Sequence, residues 1–137
     1  MIRTEKCIVM DIDGTICPIK RADQDYAELQ PHADIVAKMR DYRAQGFYLI
    51  LHSSRNMKTF DGNIGLITAN TGKALLAWLD RHDVPYDELH VGKPWAGRGG
   101  FYVDDRTIRP DEFLAMSYDE VLHVVDGAGR TPQTGPA

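Results

Sequence analysis

Apolar residues along this chain gather into short continuous runs of strand length, separated by stretches with helical spacing. Cys7-Ile8-Val9-Met10 is the first run, and it ends at Asp11. A continuous apolar run closed by a turn signal predicts a strand buried on both faces. Residues 47–51 form a second run, ending in His52-Ser53-Ser54-Arg55-Asn56. A short third strand is predicted at 88–91, before Gly92-Lys93-Pro94-Trp95, and a fourth at 101–103, before Asp104-Asp105-Arg106. Between them, Ile35, Val36, Met39 and Tyr42 recur at helical spacing, which predicts a helix over 32–45 stopped by Gly46. A second helix is predicted over 71–83, with Leu75, Trp78 and Leu79 on its apolar face. Pro110 opens a short helix to Met116, and 118–125 fits either a strand or a helix. Residues 16–31 read as a flap or surface loop, and 57–72 as mostly loop with a short helical turn.

Strands alternating with helices imply right-handed crossovers and an α/β fold. The expected architecture is one doubly wound, Rossmann-like, mostly parallel sheet with helices on both faces. The core is expected to span 1–125, with 126–137 a disordered tail of Gly, Pro and Thr. All the polar clusters then lie at the carboxyl ends of strands, the edge where open α/β sheets bind ligands.

Composition narrows this picture. A chain of 137 residues suits one domain with a core of about five strands. A net charge of −4 argues against a nucleic-acid partner, which usually meets a basic face. No apolar run reaches membrane-spanning length and residues 1–6 carry no signal-peptide pattern, so a cytoplasmic location is expected. Cys7 and Cys17 are the only cysteines, and Cys7 lies within a predicted strand, so no disulfide is expected.

The strand ends deliver Asp11 and Asp13, then hydroxyls with Arg55, then Lys93, then Asp104 and Asp105. Four carboxylates crowded at one site repel one another. A hard divalent cation resolves this, and all-oxygen ligands suit Mg2+. Lys93 and the Ser53 hydroxyl then suit the oxygens of a phosphoryl group, with Ser54 the rival hydroxyl. Arg55, Asn56 and Arg106 either bind the rest of a substrate or form surface salt bridges. His52 fits a packed histidine as well as a substrate contact, and Trp95 fits packing or the wall of a sugar site.

These motifs resemble, in order, those of the haloacid dehalogenase superfamily of phosphohydrolases. Asp11-Ile12-Asp13-Gly14-Thr15 is similar to its D-x-D-G-T motif, Ser53 to the second motif, Lys93 in G-K-P to the third, and Asp104-Asp105 to the fourth. The resemblance covers roughly residues 6 to 116. The R-N-M and G-K-P-W stretches also resemble small capsule- and lipopolysaccharide-associated phosphatases of that superfamily. The resemblance implies that Asp11 attacks phosphorus to form an aspartyl-phosphate, while Asp13 first protonates the leaving oxygen and then activates water. It implies Mg2+ on the Asp11 carboxylate, the Asp13 carbonyl and one of Asp104 and Asp105, with Asp105 favoured. Ser53 and Lys93 would hold the phosphoryl oxygens, joined by turn amides near Ile12 and Ser54.

Larger members carry a cap domain, for which the gaps between these motifs leave no room. The site is therefore expected either to be open to bulky substrates or to be closed by a homo-oligomer. The expected reaction is Mg2+-dependent hydrolysis of a small phosphorylated substrate such as a sugar phosphate. The rival readings are a polynucleotide end phosphatase, a phosphoacceptor domain, a scaffold with a dead site, and a mutase. A phosphoacceptor domain would need an acid after its third strand, and a mutase a cap to exclude water.

Overall fold

Strand β2, Tyr48–Ser53, is the most buried element of the chain, and the first half of the fold is assembled around it. A computed structural model describes residues 5–127. The expected tail therefore lies, from residue 128 onward, outside the described residues. Contacts divide the chain into two compact units, Met1–Trp95 and Ala96–Ala137.

In the first unit, β1 (Cys7–Asp11), β2 and β3 (Glu88–Val91) form a parallel sheet in the order β1-β2-β3. This is an α/β, Rossmann-like arrangement with a small open sheet and, among the described residues, no cap. Sheet order explains one departure from expectation. β1 is an edge strand here, and Val9 is 63% exposed, so it is not buried on both faces. That position belongs to β2, whose Tyr48, Leu49, Ile50 and Leu51 are all buried.

The crossover from β1 to β2 is helix α1, Ala33–Ala44, which buries Ile35, Val36, Met39 and Tyr42 as its spacing requires. Each such side chain contributes roughly 2 kcal/mol. Gly46, at φ 94°, turns the chain into Phe47, whose ring meets Tyr42 edge-on at 4.9 Å. The crossover from β2 to β3 is more helical than its glycines and asparagines suggest. Helix α2 (Ile64–Ile67) passes through a π turn, Thr68–Gly72, into α3 (Lys73–Arg81). The Asn63 side chain caps α2 by accepting the Leu66 N–H. Leu75, Trp78 and Leu79 of α3 are buried, and the Trp78 indole donates to the Leu29 carbonyl at 2.9 Å. Asp87 precedes β3 and extends the ladder: its N–H donates to Leu49 O and its carboxylate accepts from Leu49 N, both at 2.8 Å.

The second unit holds α4 (Pro110–Ala115) and α5 (Tyr118–Val125). Ser117 and Glu120 form a reciprocal capping box, which settles 118–125 as helix. The expected fourth strand is absent among the described residues: no strand is formed over 101–103, and Phe101, Tyr102 and Val103 are exposed. Three apolar residues between Gly99-Gly100 and two aspartates carry β-propensity, but propensity in so short a run is a weak signal against its context.

Candidate functional site

The carboxyl ends of β1, β2 and β3 present their polar residues in register. Asp11 pairs with His52, and His52 with His90, so three polar side chains cross the sheet in one row. One residue further along lies Ser53, opposite Val91. The Lys93 N–H then donates to Ser53 O at 3.0 Å, continuing the ladder past the strand. Gly92 makes that possible with φ 84°, a conformation that favours glycine.

After β1 the chain turns tightly over the Ile12 carbonyl, which accepts from the N–H groups of Thr15, Ile16 and Cys17. Gly14, at φ 89°, donates to Cys17 O at 2.8 Å and closes the turn. This folding separates the two aspartates. The Asp11 carboxylate faces Lys93 Nζ at 3.4 Å and accepts the Thr15 hydroxyl at 3.2 Å. The Asp13 carboxylate faces Arg55, which donates from Nε at 3.1 Å and from Nη2 at 2.7 Å.

Arg55 is the central discovery of this arrangement. Its side chain is only 3% exposed, and its guanidinium lies 3.9 Å from the centre of the Tyr26 ring. It is therefore no surface salt bridge: it binds a carboxylate bidentately and stacks on an aromatic face. Ser53 is buried, and its Oγ accepts the Arg55 N–H at 3.0 Å, leaving its O–H proton to donate. Ser54, the rival hydroxyl, is half-buried.

Environment tunes the neighbouring groups. Burial, with the Asp13 charge added, pushes the Cys17 thiol up to about 12. Burial and Asp13 also raise the Tyr26 phenol. Burial, and then the nearby Lys93 cation, lower His52, whose ring meets His90 edge-on at 6.2 Å.

Beside Arg55 opens a cavity of about 200 Å³. Its wall includes Asn56, Thr59, Phe60, Asn70 and Thr71, with Tyr26 and Arg55 at one side. Asn56 takes a left-handed conformation, φ 61°, and its side-chain oxygen accepts the Thr71 hydroxyl at 2.7 Å. Tyr26, Thr59, Phe60, Asn70 and Thr71 had no motif to mark them. Asn70 and Thr71 come from the π turn, a feature that no spacing rule reveals.

The remaining expected site residues belong to the second unit. Asp104 and Asp105 sit in an exposed bend rather than at a strand end. The Asp104 carboxylate accepts the Arg106 N–H at 2.9 Å, which holds it below the usual carboxylate range. Arg106 pairs with Asp126 at 2.9 Å.

Among the described residues no three His, Cys, Asp or Glu side chains cluster as a metal site. Within the first unit, the half-buried Asp11 carboxylate is an oxygen donor of the kind Mg2+ takes, whereas the Asp13 side chain is engaged by Arg55. No helix of the described residues is long and apolar enough to cross a membrane.

No protein-family model and no curated protein matches the chain. It is similar to a solved crystal structure, that of an MCSG target from Vibrio cholerae. The two share 40% identity over 88% of this chain and 97% of that one, with a TM-score of 0.83. That likeness spans nearly the whole of the other protein, and the chain belongs to the same family as this Vibrio cholerae protein.

Proposed function

We propose that the protein is a phosphomonoester hydrolase that works through an aspartyl-phosphate on Asp11 and acts on a small phosphorylated metabolite. The observation that carries this reading is the division of labour between the two aspartates. Asp11 lies beside a lysine and a hydroxyl, and Asp13, two residues on, is held apart by Arg55. A nucleophile needs a cation near the group it attacks, and an acid–base residue needs a fixed direction.

In this mechanism an Asp11 oxygen forms a bond to phosphorus as the bond from phosphorus to the leaving alcohol breaks. Asp13 gives its proton to the departing oxygen. Asp13 Oδ1 accepts from both Arg55 Nη2 and the Cys17 thiol, while Oδ2 accepts from Arg55 Nε, so the proton is carried on the second lone pair of Oδ2. Water then attacks phosphorus, Asp13 takes a proton from it, and Asp11 leaves as a carboxylate. Lys93 and Ser53 hold the non-bridging oxygens throughout, and positioning and charge supply most of the rate. Mg2+, held through Asp11 and the Asp13 carbonyl, would supply further neutralisation of the phosphoryl charge when bound.

The test is phosphate release from a panel of sugar phosphates, nucleotides and oligonucleotide 3′-phosphates, with and without Mg2+, alongside Asp11→Asn. Release that depends on Mg2+ and disappears in Asp11→Asn is expected. Release that survives Asp11→Asn removes the nucleophile, and no release from any substrate removes the hydrolase reading. Preferential release from oligonucleotides transfers the reading to a polynucleotide end phosphatase.

A further inference from the structure

We propose that Tyr26 is a positioning residue for the leaving-group acid: its ring holds the Arg55 guanidinium in the plane that aims Asp13. This deepens the hydrolase reading and rests on it. Tyr26 acts only through Arg55.

Asp13 has one open direction. Its Oδ1 accepts from Arg55 Nη2 at 2.7 Å and from the Cys17 thiol at 3.5 Å, and its Oδ2 accepts from Arg55 Nε at 3.1 Å. Each carboxylate oxygen carries two lone pairs, so these bonds occupy three of the four. The fourth, on Oδ2, is where the proton is carried and passed on. Two of the three bonds come from a single guanidinium, which is a rigid planar fork. The plane of that fork therefore sets the direction of the open lone pair.

Two hydrogen bonds along one edge still leave a guanidinium free to pivot about that edge. Contact with its face removes this freedom. Arg55 Cζ lies 3.9 Å from the centre of the Tyr26 ring, which is direct stacking distance. The Arg55 side chain is only 3% exposed, so water competes little for it. A cation–π contact withdrawn from water holds more firmly than one at the surface. Burial first, and the Asp13 charge second, raise the Tyr26 phenol, so ring, guanidinium and carboxylate sense one another. Lys20 Nζ lies 5.4 Å from the same ring centre, and the ring thus serves as a cation platform rather than as apolar filling.

The platform is anchored apart from the reacting groups. Tyr26 opens a single 3-10 turn, Tyr26–Glu28. The buried Leu29 follows it, and its carbonyl accepts the Trp78 indole N–H. At the base of the segment, the Ile16 carbonyl accepts the His32 N–H at 2.7 Å, and Ile16 and Cys17 are wholly buried. The loop that carries Tyr26 is tied to the core at several points, so the ring can hold Arg55 still.

The test compares two phosphate esters in the presence of Mg2+. One is p-nitrophenyl phosphate, whose nitrophenolate departs as a stable anion. The other is the alkyl phosphate that the wild type hydrolyses fastest, whose alcohol needs the Asp13 proton. In Tyr26→Leu, kcat should fall roughly ten- to hundredfold on the alkyl ester and less than about threefold on p-nitrophenyl phosphate. Tyr26→Phe keeps the ring and should restore most of the alkyl-ester rate. Tyr26→Met, which has no π face, is the second variant should Tyr26→Leu fail to fold. A further readout needs no turnover: exchange of the Arg55 Nε–H with water, followed by 1H–15N NMR, should quicken about tenfold in Tyr26→Leu but not in Tyr26→Phe. Equal losses on the two esters, a change confined to KM, or an unchanged Nε–H overturns the positioning role. So does a Tyr26→Phe as slow as Tyr26→Leu, which would assign the effect to the hydroxyl. A wild type inactive on both esters overturns the hydrolase reading and the role of Tyr26 with it; an active wild type with equal losses overturns the role of Tyr26 alone.

Discussion

Arg55 holds Asp13 with two hydrogen bonds, at 3.1 and 2.7 Å, from a side chain almost wholly withdrawn from solvent. The Asp13 side chain is 22% exposed, so the pair spans the boundary between core and site. Arg55→Met should destabilise the fold by about 3 kcal/mol, toward the lower end of buried-pair losses because Asp13 can still reach water. Arg55→Lys should recover less than half of that, since an ammonium offers neither the fork nor the stacking plane over Tyr26. Urea denaturation measures both, and a change under about 0.5 kcal/mol in Arg55→Met would show that the pair contributes nothing net.

Trp78 ties the 16–31 segment to the helical layer through its indole N–H. Trp78→Phe keeps most of the buried ring and deletes that bond, so a loss of about 1–2 kcal/mol is expected. Amide exchange should quicken around Tyr26–Glu28 more than in β2, and uniform quickening would contradict the tether.

His52 should titrate below an ordinary histidine, because burial and then Lys93 disfavour its charged form. Its folded pKa is lowered, so the neutral ring's contribution to stability is present above the unfolded value near 6.5. That contribution is lost as pH falls through the folded value. Histidine NMR shifts against pH read this directly. Lys93→Gln should move His52 upward yet leave it below the ordinary value, since burial is the larger cause.

Cys17 is buried with a thiol pushed up to about 12, by burial first and Asp13 second. It should resist iodoacetamide in the native state at pH 8, while the half-buried Cys7 is modified first. Mass spectrometry should count one adduct natively and two in denaturant; early modification of Cys17 would refute this. The raised value also means that stability is intact below the unfolded thiol pKa near 8.5. It falls as pH climbs from there toward 12.

Legibility followed the range of the signal. Helix α1 and strand β3 were readable because a complete apolar face, or a run between turn residues, is a local property. The cap of α5 was equally local, and Ser117-x-x-Glu120 could have settled that helix in advance. Edge or centre is not local: the burial of β1 depended on which strands flank it, and a three-residue apolar run such as 101–103 is too short for propensity to decide. At the site, Asp11, Asp13 and Lys93 carried motif positions, and the sheet and its turns place these three in one region. The Arg55–Tyr26 stack joins residues far apart in the chain with no spacing rule between them, so only the fold could bring it to light.

The π turn Thr68–Gly72 has one further consequence. A wide turn holds about one residue more than a regular helix allows, and one residue of α-helix is a rotation of about 100°. Deleting a single residue there would restore a regular helix and swing Asn70 or its neighbour off the cavity wall. Asp11 and the base of β2 would stay where the sheet holds them. An insertion or deletion in this one helical turn would therefore reshape the cavity wall while the row Asp11, His52 and His90 keeps its register.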